Sequence, residues 1–381
     1  MMTSSERVLT ALQHKEPDRV PLDLGGSFVT GITAEAYSNL IDYLGLDTQE
    51  VVISEMTHQL AQVDESLLEK FQVDTRGLAP QFPSGWTFAG EEDDRYRYFT
   101  DEWGIVWRMP KKNGLYYDMY RHPLADITSQ SDLDGFAWPD PEDPVRLKGL
   151  KEKAKHLTNE KQVCVVFDHM SAGFFELGGW LRGYANWFMD LAGNPKLAER
   201  ILDITLDIRM RFLDKALDEL KGDIMVLIEY EDLGSQKGPL ISPAMYRKFV
   251  KPRQKKLYSF IKKKAPVYIF LHSCGSIYEL IPDIIETGVD ILNPLQFNTP
   301  NMDTLKLKKE FGDVLTFWGG GIDTQQTLPK GNTMQVRDEV KRQIDILSPG
   351  GGFVFSTVHN IQPDVPPENI VAMMEAFLDY R

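Results

Sequence analysis

Six short apolar runs, separated by amphipathic stretches long enough for helices, fill the chain from about residue 160 to its end. The runs are Val163–Asp168, Ile224–Glu229, Val267–Cys274, Asp290–Gln296, Leu315–Asp323 and Gly352–Asn360. Helix-like segments lie between them at Asn194–Leu220, Ser242–Lys264, Ser276–Thr287, Met302–Phe311 and Thr333–Leu347. A strand buried on both faces reads as a continuous apolar run, and helical crossovers between such strands impose a parallel sheet. Val20–Gly25 and one further strand in the N-terminal third bring the count to eight. The pattern therefore predicts an α/β fold, a (β/α)8 TIM barrel with an N-terminal extension, spanning residues 1–381 as a single domain. A chain of 381 residues is long for one simple domain, but barrels with insertions reach that length. A doubly wound open sheet is the competing fold. No G-x-G-x-x-G follows a strand, and Gly319-Gly320-Gly321 opens no phosphate-binding helix, so the barrel is preferred.

Nearly every run ends in polar or reactive residues: Asp168-His169, Glu231-Asp232, His272-x-Cys274, Asn293, Asp323 and His359-Asn360. In a barrel the C-terminal ends of the strands converge on one mouth, and that is where a site is expected. Residues 76–125 break the pattern. They are dense in aromatics (Trp86, Phe88, Tyr96, Tyr98, Phe99, Trp103, Trp107, Tyr116, Tyr117, Tyr120), with turns at Pro83-Ser84-Gly85 and Lys111-Lys112-Asn113-Gly114. This reads as a small β-rich insertion, a flap on the barrel. Its aromatics serve packing first, although a flap near the mouth can also touch substrate.

Positions i and i+2 of a strand share a face, so His272 and Cys274 leave the end of their strand together. Two readings of the pair are open. Buried Cys commonly packs as a small hydrophobe, and buried His often only satisfies a hydrogen bond. Alternatively, nitrogen and sulfur together suit Zn²⁺. His359, at the tip of the last apolar run, would reach the same mouth. Three protein ligands with an open fourth position make a catalytic zinc site. Glu231 and Asp232 are placed to supply a fourth ligand or to orient a ligand imidazole.

Charge and composition exclude other classes. The net charge of −14, from 42 basic and 56 acidic residues, argues against a nucleic-acid partner. The one basic cluster, Arg247 to Lys264, carries apolar residues at helical spacing and reads as an outer helix with a solvated basic face. No apolar run approaches the roughly 18 residues that suggest a membrane span. The N-terminus is polar and lacks an apolar signal core. Two cysteines, Cys164 and Cys274, form no disulfide framework, so a cytoplasmic location is expected.

Four segments carry a family resemblance. They are E-R-V-L-T-A-L-Q-H-K-E-P-D-R-V-P (Glu6–Pro21), D-L-G-S-Q-K-G-P-L-I-S-P-A-M-Y-R-K-F-V-K-P (Asp232–Pro252), H-S-C-G (His272–Gly275) and H-N-I-Q-P-D-V-P-P-E-N-I (His359–Ile370). Together they resemble the uroporphyrinogen decarboxylase superfamily over nearly the whole chain. Within it, the H-x-C pair resembles the zinc-dependent methyltransferases that work with corrinoid proteins. The decarboxylases proper carry an R-Q-A-G-R segment near the N-terminus, where this chain has Leu22-Asp23-Leu24-Gly25-Gly26. No Lys or Arg stands between Arg19 and Lys70, while nine acids do. A substrate with many carboxylates needs cationic partners, so porphyrinogen decarboxylation is disfavoured.

The resemblance implies a zinc ion on His272, Cys274 and His359, the last standing where the methyltransferases commonly have a second Cys. It implies methyl transfer between a small donor or acceptor and a corrinoid (methylcobalamin). The corrinoid would be carried by a separate partner protein, since no D-x-H-x-x-G signature occurs here. Glu231 and Asp232 are then expected in catalytic roles. Asp168, Gln236, Asn293 and Asp323 are expected to line the mouth and bind substrate. A homodimer is compatible with this reading. Two alternatives remain: a decarboxylase of another acid, metal-free and using His359 for proton transfer, and a barrel that binds metal or corrinoid protein without turnover.

Overall fold

A computed structural model describes residues 2–46, 50–169 and 172–381. Its strands in chain order begin with β1 (Ile53–Glu55), β2 (Leu60–Ala61), β3 (Thr75–Leu78), β4 (Glu91–Glu92), β5 (Tyr96–Thr100), β6 (Val106–Pro110) and β7 (Asp118–Arg121). Then follow β8 (Cys164–Phe167), β9 (Val226–Tyr230), β10 (Tyr268–His272), β11 (Ile291–Asn293), β12 (Thr316–Trp318) and β13 (Phe353–Val354). Seven of them form one sheet in the order β13-β12-β11-β10-β9-β8-β3, every neighbouring pair parallel. The segment around Leu22 closes the curl. Leu22 bridges Phe355 in parallel, the Phe355 amide donates to Pro21 O at 2.9 Å, and the Asp74 amide donates to Leu22 O at 2.8 Å. The result is the TIM-barrel architecture the apolar runs predict, with the N-terminal third supplying β3 and the closing segment.

Alternation along the strands divides the core in two. Cys164, Val166, Val226, Ile228, Phe270, Ile291, Trp318 and Val354 form one buried cluster, which fills the barrel lumen. Their sequence neighbours, such as Val165, Leu227, Ile269, Leu271, Leu292 and Phe317, join the larger cluster under the helices. The helix Ser4–Leu12 adds Val8 and Leu12 to the lumen cluster. Its Arg7 and Ser4 bond Asp74 at 2.7 Å, at the start of β3, so this helix plugs the bottom of the barrel.

The strands are shorter than the apolar runs. β10 ends at His272 and β13 at Val354, so Cys274 and His359 stand on the loops that follow rather than on strands. Each loop is pinned. Gly275 has φ +83°, and a Cβ there would lie 2.6 Å from the Ser235 amide nitrogen, so only glycine lets the Cys274 loop pack that closely. Thr357 Oγ1 donates to His359 O at 2.6 Å, and the Asn360 side chain spans the Gly31 amide (2.7 Å) and Phe28 O (2.9 Å).

The aromatic insertion forms a four-stranded antiparallel sheet, β4-β5-β6-β7. Residues 76–78, within the segment read as flap, belong to the barrel strand β3. Phe99, Trp107 and Met109 alternate with more exposed residues and are buried. Trp107 meets Trp180 of the helix Phe174–Arg182 edge-on at 5.1 Å, which ties the flap to the barrel mouth. The basic helix Lys251–Lys264 is an outer helix whose Lys251, Arg253, Lys262 and Lys264 pair with acids of neighbouring elements. No helix among the described residues is long and apolar enough to cross a membrane.

Candidate metal centre

The parity that buries Phe270 in the lumen carries His272 to the same side, two residues on. At that level β10 runs between Tyr230 of β9 and Asn293 of β11. His272 Nδ1 lies 2.5 Å from Asn293 Oδ1, while Asn293 Nδ2 donates to Trp318 O at 2.7 Å. The second bond fixes the amide, so its oxygen faces the ring and Nδ1 carries the proton. The Nε2 lone pair is left free toward Cys274, whose Sγ lies 3.3 Å away. Asp232 Oδ1 accepts the Cys274 amide at 2.8 Å and lies 3.8 Å from His272 Nε2. The His359 ring stands 5.5 Å from that of His272. One donor atom from each of His272, Cys274 and His359 falls within 4.8 Å of the others.

The donor chemistry fits a zinc-like ion. Burial holds both imidazoles below their usual pKa, His359 the more so because His272 and His58 stand nearby. They are therefore neutral and competent as ligands. Burial, aided by the Asp232 and Glu176 carboxylates, pushes the Cys274 thiol well above its usual range. A cation among these donors reverses that push and ionises the sulfur. Asn293 occupies the place behind a ligand imidazole that fixes tautomer and orientation. Asn293→Ala is expected to lower zinc affinity about 10–100-fold, measured by competition with a chelating dye.

A cavity of about 360 Å³ opens above His272 and His359. The flap and the helix Phe174–Arg182 wall it with Phe82, Trp86, Phe99, Trp103, Trp107 and Trp180. Of the acids foreseen, Asp168 and Asp232 line it. Asp168 accepts the Tyr230 hydroxyl at 2.5 Å, and burial raises its pKa to about 7.

The other predicted residues go elsewhere, for reasons of parity and exposure. Glu231 does not line the cavity. It sits one residue past β9, where its carboxylate accepts the amides of Phe174 (2.9 Å), Phe175 (2.8 Å) and Glu176 (3.2 Å). It caps a helix N-terminus, a role that a catalytic assignment does not anticipate, and burial raises its pKa to about 7. Gly173 makes this possible, because a Cβ there would lie 2.2 Å from Tyr230 O. Asn293 holds His272 rather than substrate. Gln236 is exposed beside the tight turn that Ser235 and Gly238 close. Asp323 is turned to the Gln325 amide (2.8 Å) and Asn298 (3.1 Å), also outside the cavity lining.

Sequence reasoning missed, among other lining residues, Glu176, Glu55 and His58. Glu176 is disguised as a capping residue, its Oε2 accepting the Gly173 amide at 3.4 Å. Burial, with Asp232 and Glu231 nearby, raises its pKa well above the usual range. Glu55 and His58 pair at 3.1 Å in the N-terminal third, and the His58 ring lies 6.3 Å from that of His359. An acid followed three residues later by histidine is too common a pattern to have flagged them.

Residues 120–380 match the family described as Uroporphyrinogen decarboxylase (URO-D). Curated relatives named uroporphyrinogen decarboxylase include one from Chlorobaculum parvum, 24% identical over 66% of this chain and 69% of its own. Another, from Geobacter sulfurreducens, is 26% identical over 64% of this chain and 73% of its own. The solved structure of a methyltransferase from Methanosarcina mazei superposes with a TM-score of 0.67 at 18% identity, covering 100% of this chain and 99% of that one. At that identity the superposition speaks to the fold.

Proposed function

We propose that this chain, which belongs to the uroporphyrinogen decarboxylase family, is a zinc-dependent methyltransferase. It would move a methyl group between a small substrate and a corrinoid held by a partner protein. The observation that carries the reading is the convergence of His272, Cys274 and His359, donors within 4.8 Å, beneath an aromatic-walled cavity. That the superposed Methanosarcina mazei protein is a methyltransferase agrees with it.

Bound by these three side chains, zinc supplies Lewis acidity to the substrate heteroatom that carries or receives the methyl group. The remaining work belongs to the protein. Asn293 aims His272 Nε2, and the Asp232 carboxylate, gripping the Cys274 amide, fixes the sulfur. Glu176, kept protonated by burial, supplies a proton from its carboxyl to a heteroatom that gives up its methyl group. The indoles and phenyl rings of the wall exclude water from the reacting atoms.

A metal-free decarboxylase is the second reading, favoured by the names of the relatives. Charge counts against it. The described residues lining the cavity include six carboxylates and one guanidinium, Arg146, which already pairs with Glu102. A polycarboxylate finds no free cation there.

The test is methyl transfer to free cob(I)alamin from a panel of methylated thiols, ethers and amines, followed by the absorbance of methylcobalamin. Zinc-dependent transfer from at least one donor is expected. No transfer in either direction, together with metal-independent carbon dioxide release from an acid, would favour the second reading.

A further inference from the structure

We propose that the flap side of the cavity is a subsite for an organic ammonium group on the substrate. That substrate would carry a methylated heteroatom at one end and a positive charge at the other. Calling this molecule a methyl donor or acceptor rests on the methyltransferase reading; the cation subsite itself does not.

The argument starts from what the walls offer a charge. Five aromatic side chains, Trp86, Phe99, Trp103, Trp107 and Trp180, line the flap side and the adjoining helix. Aromatic faces are negative, and indoles bind alkylammonium ions best. Trp180 follows Glu176 by four residues on the helix Phe174–Arg182, so an indole and a carboxyl share one helical face, and both reach the cavity. Asp101 adds a carboxylate between β5 and β6. The Trp103 and Ile105 amides (2.9 Å each) and Trp107 Nε1 (2.8 Å) hold it, and all three are neutral donors. Its charge is therefore hydrogen-bonded but not cancelled by a cation.

The cationic groups among the described lining residues are already paired, His58 with Glu55 at 3.1 Å and Arg146 with Glu102. No lysine is among the described residues lining the cavity. An anionic substrate would meet like charge, and a neutral one would leave the Asp101 carboxylate hydrogen-bonded but without a counter-charge. A cation satisfies both the rings and the Asp101 carboxylate.

Three isosteres decide it: choline, neutral 3,3-dimethylbutan-1-ol and anionic 3,3-dimethylbutanoate, each titrated calorimetrically into the whole protein. Choline is expected to bind about tenfold more tightly than the alcohol, with the acid weakest. Trp86→Leu, a half-buried flap position, should weaken choline about threefold or more and leave the alcohol unchanged. Equal affinity for choline and the alcohol, or preference for the acid, would overturn the subsite. Should Trp86→Leu fail to fold, the wild-type comparison decides alone. The two readings fail separately. Methyl transfer from a neutral donor without choline preference removes the subsite and leaves the methyltransferase. Choline preference without any methyl transfer does the reverse.

Discussion

Replacing Cys274 by serine is expected to strip the protein of zinc and, with it, of methyl transfer. Cys274 is the one thiolate source in the cluster, and its partners are two neutral imidazoles. The serine hydroxyl does not ionise under the same conditions, so the variant loses both the soft donor and the only negative charge in the set. The loss should exceed the roughly 10–100-fold that follows removal of a hydrogen-bond partner behind a ligand. The fold should survive, because Cys274 lies beyond the end of β10, and its backbone bond to Asp232 does not involve the sulfur. Elemental analysis and the corrinoid assay, run beside thermal unfolding of the metal-free proteins, separate the two effects. Full zinc content in Cys274→Ser would exclude the sulfur as a ligand.

Glu231→Ala is expected to damage the fold more than the chemistry. Its buried carboxylate accepts three amides at the start of the helix Phe174–Arg182 and a bond from Gln254 Nε2 at 3.3 Å. Gln254 in turn accepts the buried Tyr246 hydroxyl at 2.5 Å. Alanine leaves the three amides and Gln254 Nε2 without an acceptor, and an unsatisfied buried donor costs about 1–3 kcal/mol. A total of roughly 3–5 kcal/mol is the expected scale, since neighbouring terms do not add fully. Because that helix also carries Glu176 and Trp180 into the cavity, activity falls as a consequence of stability. Glu231→Gln keeps one acceptor oxygen and should recover part of the loss in urea unfolding. A stable Glu231→Ala protein with abolished turnover would return this residue to a catalytic role.

What the sequence disclosed, and what it hid, follow from the same geometry. The barrel was readable because strands buried on both faces leave continuous apolar runs, and each run from Val163 onward contains a strand. The N-terminal third was harder: β3 is only Thr75–Leu78, and the Leu22 segment joins the sheet through a single bridge. His272, Cys274 and His359 were legible as a potential ligand set because their residue types are scarce and specific. Glu231, expected in a catalytic role, faces the helix instead of the cavity because a polar residue at a strand end can face either way. One step of parity separates Tyr230, on the Asp168 side, from Glu231, which meets the helix. Glu176 and Asn293 were obscured differently. Their roles depend on which backbone amides and rings stand opposite, and that is a property of the folded chain.

Cobalt substitution tests the central claim most directly. With Co²⁺ in place of zinc, a site of one thiolate and two imidazoles should give a near-ultraviolet sulfur-to-cobalt charge-transfer band and intense visible bands of low coordination number. Cys274→Ser should abolish the charge-transfer band. A weak spectrum like that of the hydrated ion, or a charge-transfer band unchanged in Cys274→Ser, would contradict the assignment of His272, Cys274 and His359 as the metal centre.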